Sequence, residues 1–516
     1  MVDSATNLAI IDDDSSLLRR LIGKIAPVKR DELLTVVILT LNVFVLLTCY
    51  YVLKVLREPM ILLGGGAELK AYASAGQTLL LLAVIPAFGW LSSKVSRVRL
   101  LTTMQVIFIG CLVAFYALAQ LRAPIGLAFY LWLGIFNVLV VSNFWSFAND
   151  LYTEEQGKRL FAIIGIGASI GAIVGAFVPH LLDRVLGVYS LMLVAAGGLG
   201  LSIVLYRIAD LRERSRTARG APRGTAEKPE AMSRKGGFTL VIKDRYLRLL
   251  AVMLLVATII NTSGEYVIGK LATDRSKQYA AEVAPAAAAP AAAQPDASKP
   301  GAAKSDAAKP DAEKSGAAKS EAGASSKPAG KHASVDSAQG RYLEQFYSSY
   351  YGVVNLLSFL LQALIVARLL TWLGIRRTLF IMPLVVLGGW LALGLFVNVT
   401  MVRIEKTAEN SLDYSLHNTL RQALFLPTSR DSKYKAKAAI DTFFFRMGDV
   451  IAGLGIVFLF VEVLGLGVRA FAILNVVLAA CWLLLAARTG RLHDRLVAAT
   501  AGAPAGEESP GRAAQR

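Results

Sequence analysis

The sequence predicts an all-α polytopic membrane protein, with about twelve transmembrane helices in two six-helix halves. Three observations lead there. Uncharged apolar runs recur along the chain, from Leu33 to Leu53, Ala71 to Ser93, Leu100 to Leu121, Ala123 to Asn149 and Val185 to Tyr206. Each has the roughly 20 residues that a helix needs to cross a bilayer. Of the 516 residues 55% are hydrophobic and the mean hydropathy is +0.52, more than a soluble core requires. Basic residues gather in every second loop, and a polar stretch rich in Arg and Lys divides the chain near its middle.

Residues 1–32 form a charged N-terminal segment, in which Ser15 to Lys29 has the make-up of a short interfacial helix. The first apolar run follows this leader at full spanning length, so it reads as a span rather than a cleavable signal. Residues 33–208 make the N-terminal six-helix half, its fifth span opening near Leu160. Lys94, Arg97 and Arg99 stand between its second and third spans, and Lys158 and Arg159 follow the fourth. Residues 209–245, rich in Arg, Lys, Gly and Pro, read as a flexible linker between the halves.

The C-terminal half covers 246–487. Its spans begin near Leu249, Gln345, Thr378, Val450 and Ala470, with a more polar candidate from Asn410 to Leu426. Inside it, residues 273–340 are low-complexity sequence of Ala, Pro, Lys, Ser and Asp, which cannot bury enough surface to offset chain entropy. They are expected to be a disordered, non-cytoplasmic insert. The tail, 488–516, carries Arg488, Arg491 and Arg495. The alternation of basic loops places both termini in the cytoplasm of an inner-membrane, multi-pass protein. It also accounts for the net charge of +18 without a nucleic-acid partner.

Gly167, Gly171 and Gly175 recur every four residues and give the fifth span a smooth face for close helix contact. The three cysteines, Cys49, Cys111 and Cys481, fall inside spans without metal-type spacing and read as buried thiols. The four histidines are scattered, and no Gly-rich phosphate loop is present. No enzyme chemistry, metal or cofactor is implied, and an ATP-driven pump is disfavoured. Secondary transport remains.

Charge inside a span is costly, so such residues usually face a cavity. Glu265 stands in the seventh span behind Asn261, Thr262 and Ser263, and Lys270 just after it is its expected partner. Lys54, Arg57 and Glu58 share a face at the end of the first span and Lys70 opens the second. Two readings are open for this group, a cavity-facing set and interfacial charges reaching for the headgroups. Arg446 and Asp449 form an i, i+3 pair in the eleventh span. Lys433, Lys435 and Lys437, too regular at spacing two to share a helical face, fit a cytoplasmic loop.

Several segments resemble the nucleotide transporter family, the ATP/ADP translocases of plastids and intracellular bacteria. They are Tyr51-Val-Leu-Lys54-Val-Leu-Arg57-Glu58; Phe144-Trp145-Ser-Phe147-Ala148-Asn149 with Glu154-Glu155-Gln156-Gly157-Lys158-Arg159 and Gly165-Ile-Gly167-Ala168; Asn261 to Lys270; Tyr414-Ser415-Leu416 with Leu426-Pro427; and Lys433-Tyr-Lys435-Ala-Lys437-Ala438-Ala439-Ile440-Asp441. They occur in the family's order. The resemblance implies a major facilitator type fold and exchange or import of nucleotides, with protons a possible coupling ion. It carries the family's charged transport residues onto Lys70, the acidic position near Glu155, Glu265 and Lys437.

Two positions depart from the family pattern: Gln156 replaces an acid, and Asp449 stands where a Lys is usual. Both changes remove attraction for a triphosphate. The expected cations around the substrate are Lys54, Arg57, Lys70, Lys158, Lys270, Lys437 and Arg446, with Glu58, Glu155, Glu265 and Asp449 balancing charge or coupling. Two rivals stand beside nucleotide transport: a carrier of another organic or phosphorylated anion on the same scaffold, and a membrane assembly protein that no longer transports.

Overall fold

The computed structural model describes residues 30–92, 97–152, 154–182, 187–218, 237–288, 337–428, 432 and 436–501. The N-terminal leader, most of the linker, the central part of the insert and the end of the tail lie outside the described residues. Among the described residues eight helices are long and apolar enough to cross a membrane, and Ile381–Leu395 is a shorter apolar one. No strand is present among them.

Local breaks resolve these helices into two sets of six rods. Arg30–Ser92 runs as one helix until Gly65 and Gly66, where φ of 73° at Gly66 needs a residue without a side chain. This divides α1 (30–64) from α2 (67–92). Then come α3 (Arg97–Gln120), α4 (Gly126–Leu151), α5 (Glu154–Leu182) and α6 (Leu191–Ala218). After the short helix Gly237–Lys243, α7 covers Arg245–Ala288. The α8 rod (338–373) stops at Gly374, whose φ is 70°, and α9 is Ile381–Leu395. The remaining rods are α10 (399–424), α11 (437–463) and α12 (Val468–Ala501). Four stretches within α8, α10 and α11 are π-helical: Leu361–Val366, Asp413–His417, Ile440–Phe444 and Ile451–Val463.

The interior of the first half is aromatic and aliphatic, with Leu39, Val43, Phe129, Phe136 and Phe144 fully shielded. In contrast Leu79, Ile107, Trp372, Leu395 and Leu484 are exposed on the outer surface, as side chains that meet lipid should be. The glycine face of α5 lies on α1. A Cβ on Gly167, Gly171 or Gly175 would strike the backbone of Thr40, Phe44 or Thr48 respectively, and Thr48 donates to the Gly171 carbonyl at 3.2 Å. In lipid, such close backbone approach supplies the association energy that water supplies elsewhere.

The two halves meet at the end that carries the α1–α2 and α7–α8 connections. There Ser348 donates to the Ala176 carbonyl at 2.7 Å, Asn355 to the Ala172 carbonyl at 3.1 Å, and Lys270 pairs with Glu68 at 3.3 Å. Between α2 and α11, Tyr72 donates to Glu462 at 3.1 Å.

Four expectations are corrected here. The tenth rod starts at Val399 rather than Asn410: Glu405, Lys406 and Glu409 are charged yet buried, so mean polarity hid the span. The eleventh starts at Lys437 rather than near Val450, with Lys437 and Asp441 paired at 2.7 Å along its first turns. Residues 273–288 are not part of a structureless insert but extend α7, because their Ala content favours helix. Of the cysteines, only Cys49 is buried; Cys111 is partly exposed and Cys481 exposed on the outer surface of its rod.

Candidate functional site

On α1, residues 50, 54, 57 and 58 recur with helical period, so one face of the rod carries Tyr50, Lys54, Arg57 and Glu58 inward. That face borders a central cavity of about 280 Å³ between the halves. The cavity is also lined by Lys70 of α2, Asn261, Thr262 and Glu265 of α7, Tyr351 of α8, Asn410 and Asp413 of α10, and Arg446 and Asp449 of α11.

A chain of alternating charge crosses the site. Arg57 bonds to Glu58, which is fully buried and also accepts from Tyr351 at 3.0 Å. The second Glu58 oxygen lies 2.8 Å from Lys70, and Lys70 lies 3.2 Å from Glu265 in the other half. Glu265 in turn accepts from Asn410 at 3.2 Å and lies 3.9 Å from Lys406, which pairs with Glu409 at 3.0 Å. Buried charges persist when each meets an opposite charge and hydrogen bonds, and the Lys70–Glu265 contact makes this chain a bridge between halves.

Lys54 is held differently. Its ammonium sits 4.2 Å from the centre of the Tyr351 ring and 5.1 Å from that of Tyr51, with Tyr50 and Tyr414 at 6.0 Å. Ring faces stabilise a cation without neutralising it. Among the described residues no carboxylate lies within ion-pair distance of Lys54. Arg446 is 3.8 Å from Asp449, a loose contact, because Asp449 accepts from Thr262 at 2.6 Å and from Thr78 at 3.4 Å.

Of the residues singled out in the sequence, the structure brings Lys54, Arg57, Glu58, Lys70, Glu265, Arg446 and Asp449 together. Lys270 is not the partner of Glu265. Five residues along a helix turn about 140° further round it, so Lys270 points to Glu68, and Lys70 takes its place from the other half. Lys437 sits with Asp441 away from the cavity lining. The side chains of Glu155 and Lys158 lie outside the described residues.

Sequence reasoning missed Lys406 and the tyrosines. Tyr347, Tyr350 and Tyr351 lie at i, i+3 and i+4 on α8, a spacing that marks a single inward face, and all three are buried. The i, i+3 pairing of Lys406 with Glu409 carried the same signal.

Residues 22–289 match the family model described as the Major Facilitator Superfamily. The chain belongs to the Major Facilitator Superfamily. It is therefore a multi-pass membrane transporter rather than an enzyme. Solved structures of similar fold include a POT family transporter in complex with 5-aminolevulinic acid, at 12% identity and a TM-score of 0.56 over 89% of this chain and 96% of that one. An auto-inhibited POT family peptide transporter aligns at 11% identity and a TM-score of 0.54 over the same shares. The POT family transporter PepTSo aligns at 10% identity and 0.53, over 89% of this chain and 97% of that one. At these identities the likeness shows the superfamily's fold. No curated protein sequence matches the chain.

Proposed function

We propose that this superfamily member is a secondary transporter of an anionic small molecule, of which nucleotides are the leading class, working by alternating access between α1–α6 and α7–α12. The single observation that carries the reading is Lys54, a cation facing the cavity within a ring of tyrosines and with no carboxylate partner among the described residues. Arg446, whose own acid is held by two threonines, adds a second donor on the facing wall. Together they offer a phosphate or carboxylate charge-assisted hydrogen bonds from both halves. The motif resemblance to nucleotide transporters supports the nucleotide, and the loop charges support an inner-membrane protein with cytoplasmic termini.

A second reading has its own support. Lys70, Arg57 and Lys406 are already balanced by Glu58, Glu265 and Glu409, and the cavity of about 280 Å³ sits just under the roughly 300–1,000 Å³ of drug-sized ligand sites. Both facts suit an anion smaller and less charged than a triphosphate. The experiment is thermal stabilisation of the purified protein by ATP, ADP, AMP, inorganic phosphate and simple dicarboxylates, in wild type and Lys54→Ala. Stabilisation by ATP or ADP that vanishes in Lys54→Ala supports nucleotide transport. Stabilisation only by a smaller anion selects the second reading, and no stabilisation by any of them overturns the anion assignment.

A further inference from the structure

The outward face of α12 changes character near its end. Ile473, Val477, Cys481 and Leu484 are exposed on it, and the exposed Arg488, Arg491 and Arg495 continue the same row. At about 100° per residue all of them fall within about 80° of arc. One narrow stripe therefore passes from apolar to basic along a single face of the rod.

Beside the basic part of the stripe lies the corner between α8 and α9. The φ of 70° at Gly374 turns the chain there, and Arg376 comes to lie across α12 at Gly490, where a Cβ would stand 2.8 Å from the Arg376 Cγ. Arg376 then reaches Asp494 at 3.3 Å. Arg377 is exposed at the same corner, and Trp372, about one turn nearer the membrane, is 73% exposed. Within 374–378 and 484–499 Asp494 is the only acid, and Arg376 engages it. Arg377, Arg488, Arg491 and Arg495 leave the corner with a surplus of positive charge.

The last rod of the first half is built otherwise. It too ends in arginines, but Arg214 pairs with Asp210 at 2.8 Å and Glu213 adds a second acid there. Positive charge that serves only to orient a chain needs no particular row. On α12 it stands in line with the side chains that meet acyl tails.

We infer that the end of α12 and the α8–α9 corner form a binding site for an anionic phospholipid. Its headgroup lies among Arg377, Arg488, Arg491 and Arg495, and an acyl chain follows Leu484, Cys481 and Val477. Guanidinium groups suit a phosphate diester because they donate in a planar fork. Trp372 belongs at headgroup depth, where an indole ring has one apolar and one wet side. A free phosphate would use the arginines alone, whereas a lipid uses the apolar continuation of the stripe as well. The site stands whichever solute the cavity takes.

The full-length protein reconstituted in vesicles tests this through Trp372. Phosphatidylglycerol with brominated tails quenches an indole that it touches, and brominated phosphatidylcholine in the reverse mixture supplies the reference. The signal of Trp372 is wild type minus Trp372→Phe. Near an anionic headgroup each arginine is worth a roughly fivefold preference. Wild type should therefore favour phosphatidylglycerol at least about fivefold, and the triple variant Arg488→Gln, Arg491→Gln, Arg495→Gln should bring the ratio close to one. Arg207→Gln with Arg214→Gln, at the end of α6, should leave it unchanged. A wild-type ratio near one overturns the site, as does a ratio that the triple variant keeps or that the α6 variant lowers equally. Arg491→Gln alone, expected to lower the ratio in part, replaces the triple variant if that fails to fold, and an unchanged ratio there overturns the site too. Inorganic phosphate, exchanged for chloride at constant ionic strength, should not displace the lipid; displacement would give the arginines to a free anion and overturn the lipid site.

Discussion

At the shared cavity, α1 and α2 set Lys54, Arg57 and Lys70 against the buried Glu58, whereas α7, α10 and α11 set Glu265, Asp413 and Asp449 against Arg446, with Glu405, Lys406 and Glu409 buried behind that lining. The halves also differ in build. In the first, glycines seat α5 on the backbone of α1, and no π-helical turn occurs among the described residues; in the second, α8, α10 and α11 all contain them. On the proposed reading, an entering anion is attracted to the first half and competes there with carboxylates of the second. Tight packing holds the cations in place, and the π-helical half, with its weaker backbone geometry, is the one suited to rearrange.

The largest expected effect comes from breaking the balance within the first half. Glu58→Gln leaves Lys70 and Arg57 short of their shared acid in a buried site, which should cost about 3–5 kcal/mol of stability, measured by chemical denaturation in detergent. A loss below about 1 kcal/mol would mean that water or lipid headgroups already serve these cations. Next is the free cation: Lys54→Ala should weaken anion binding by about 1.5–3 kcal/mol, roughly 10- to 150-fold, with the folded state intact. Binding that survives unchanged would move the anion to the second half, at Arg446.

The contrast in packing is sharpened by two glycines. Gly171→Ala forces a methyl group against the Phe44 backbone and should destabilise by about 1–3 kcal/mol in thermal unfolding, while Gly455→Ala in α11, with open space around it, should not. Equal losses would remove the claim that α5 is seated on α1 more tightly than α11 is seated at Gly455. The smallest effect is expected at Lys437→Ala, within about 0.5 kcal/mol in anion affinity, since its partly exposed pair with Asp441 lies off the cavity. A large loss of uptake there would show that the resemblance to nucleotide transporters locates a transport residue that the cavity, in this conformation, does not include.

Much of the fold was legible because lipid demands long apolar runs: Leu100 to Leu121 became Arg97–Gln120, and Ala123 to Asn149 became Gly126–Leu151. Hydropathy failed where charges neutralise one another inside the protein, as at Lys406 and Glu409, since a paired buried charge counts as polar in a sequence and behaves otherwise in the structure. The site was legible as residue types, and its partnerships were not. Which acid meets Lys70 depends on how α2 and α7 are rotated against each other, and packing sets that rotation. The glycine period of α5 could be read directly because close approach has one chemical requirement, the absence of a side chain.

The length of α7 has a practical consequence. Its 44 residues span about 66 Å at helical rise, roughly twice the hydrocarbon thickness of a bilayer. Beyond the membrane it is stiffened by the Arg275–Glu282 pair at 2.8 Å and braced on α8 by Tyr279 and Tyr342, whose ring centres are 5.4 Å apart. The transporter thus carries its own mast. A small folded protein grafted between Ala288 and Ser337 would stand clear of the detergent belt on a rigid two-helix mount, a fiducial for electron microscopy on a chain of only 55.4 kDa.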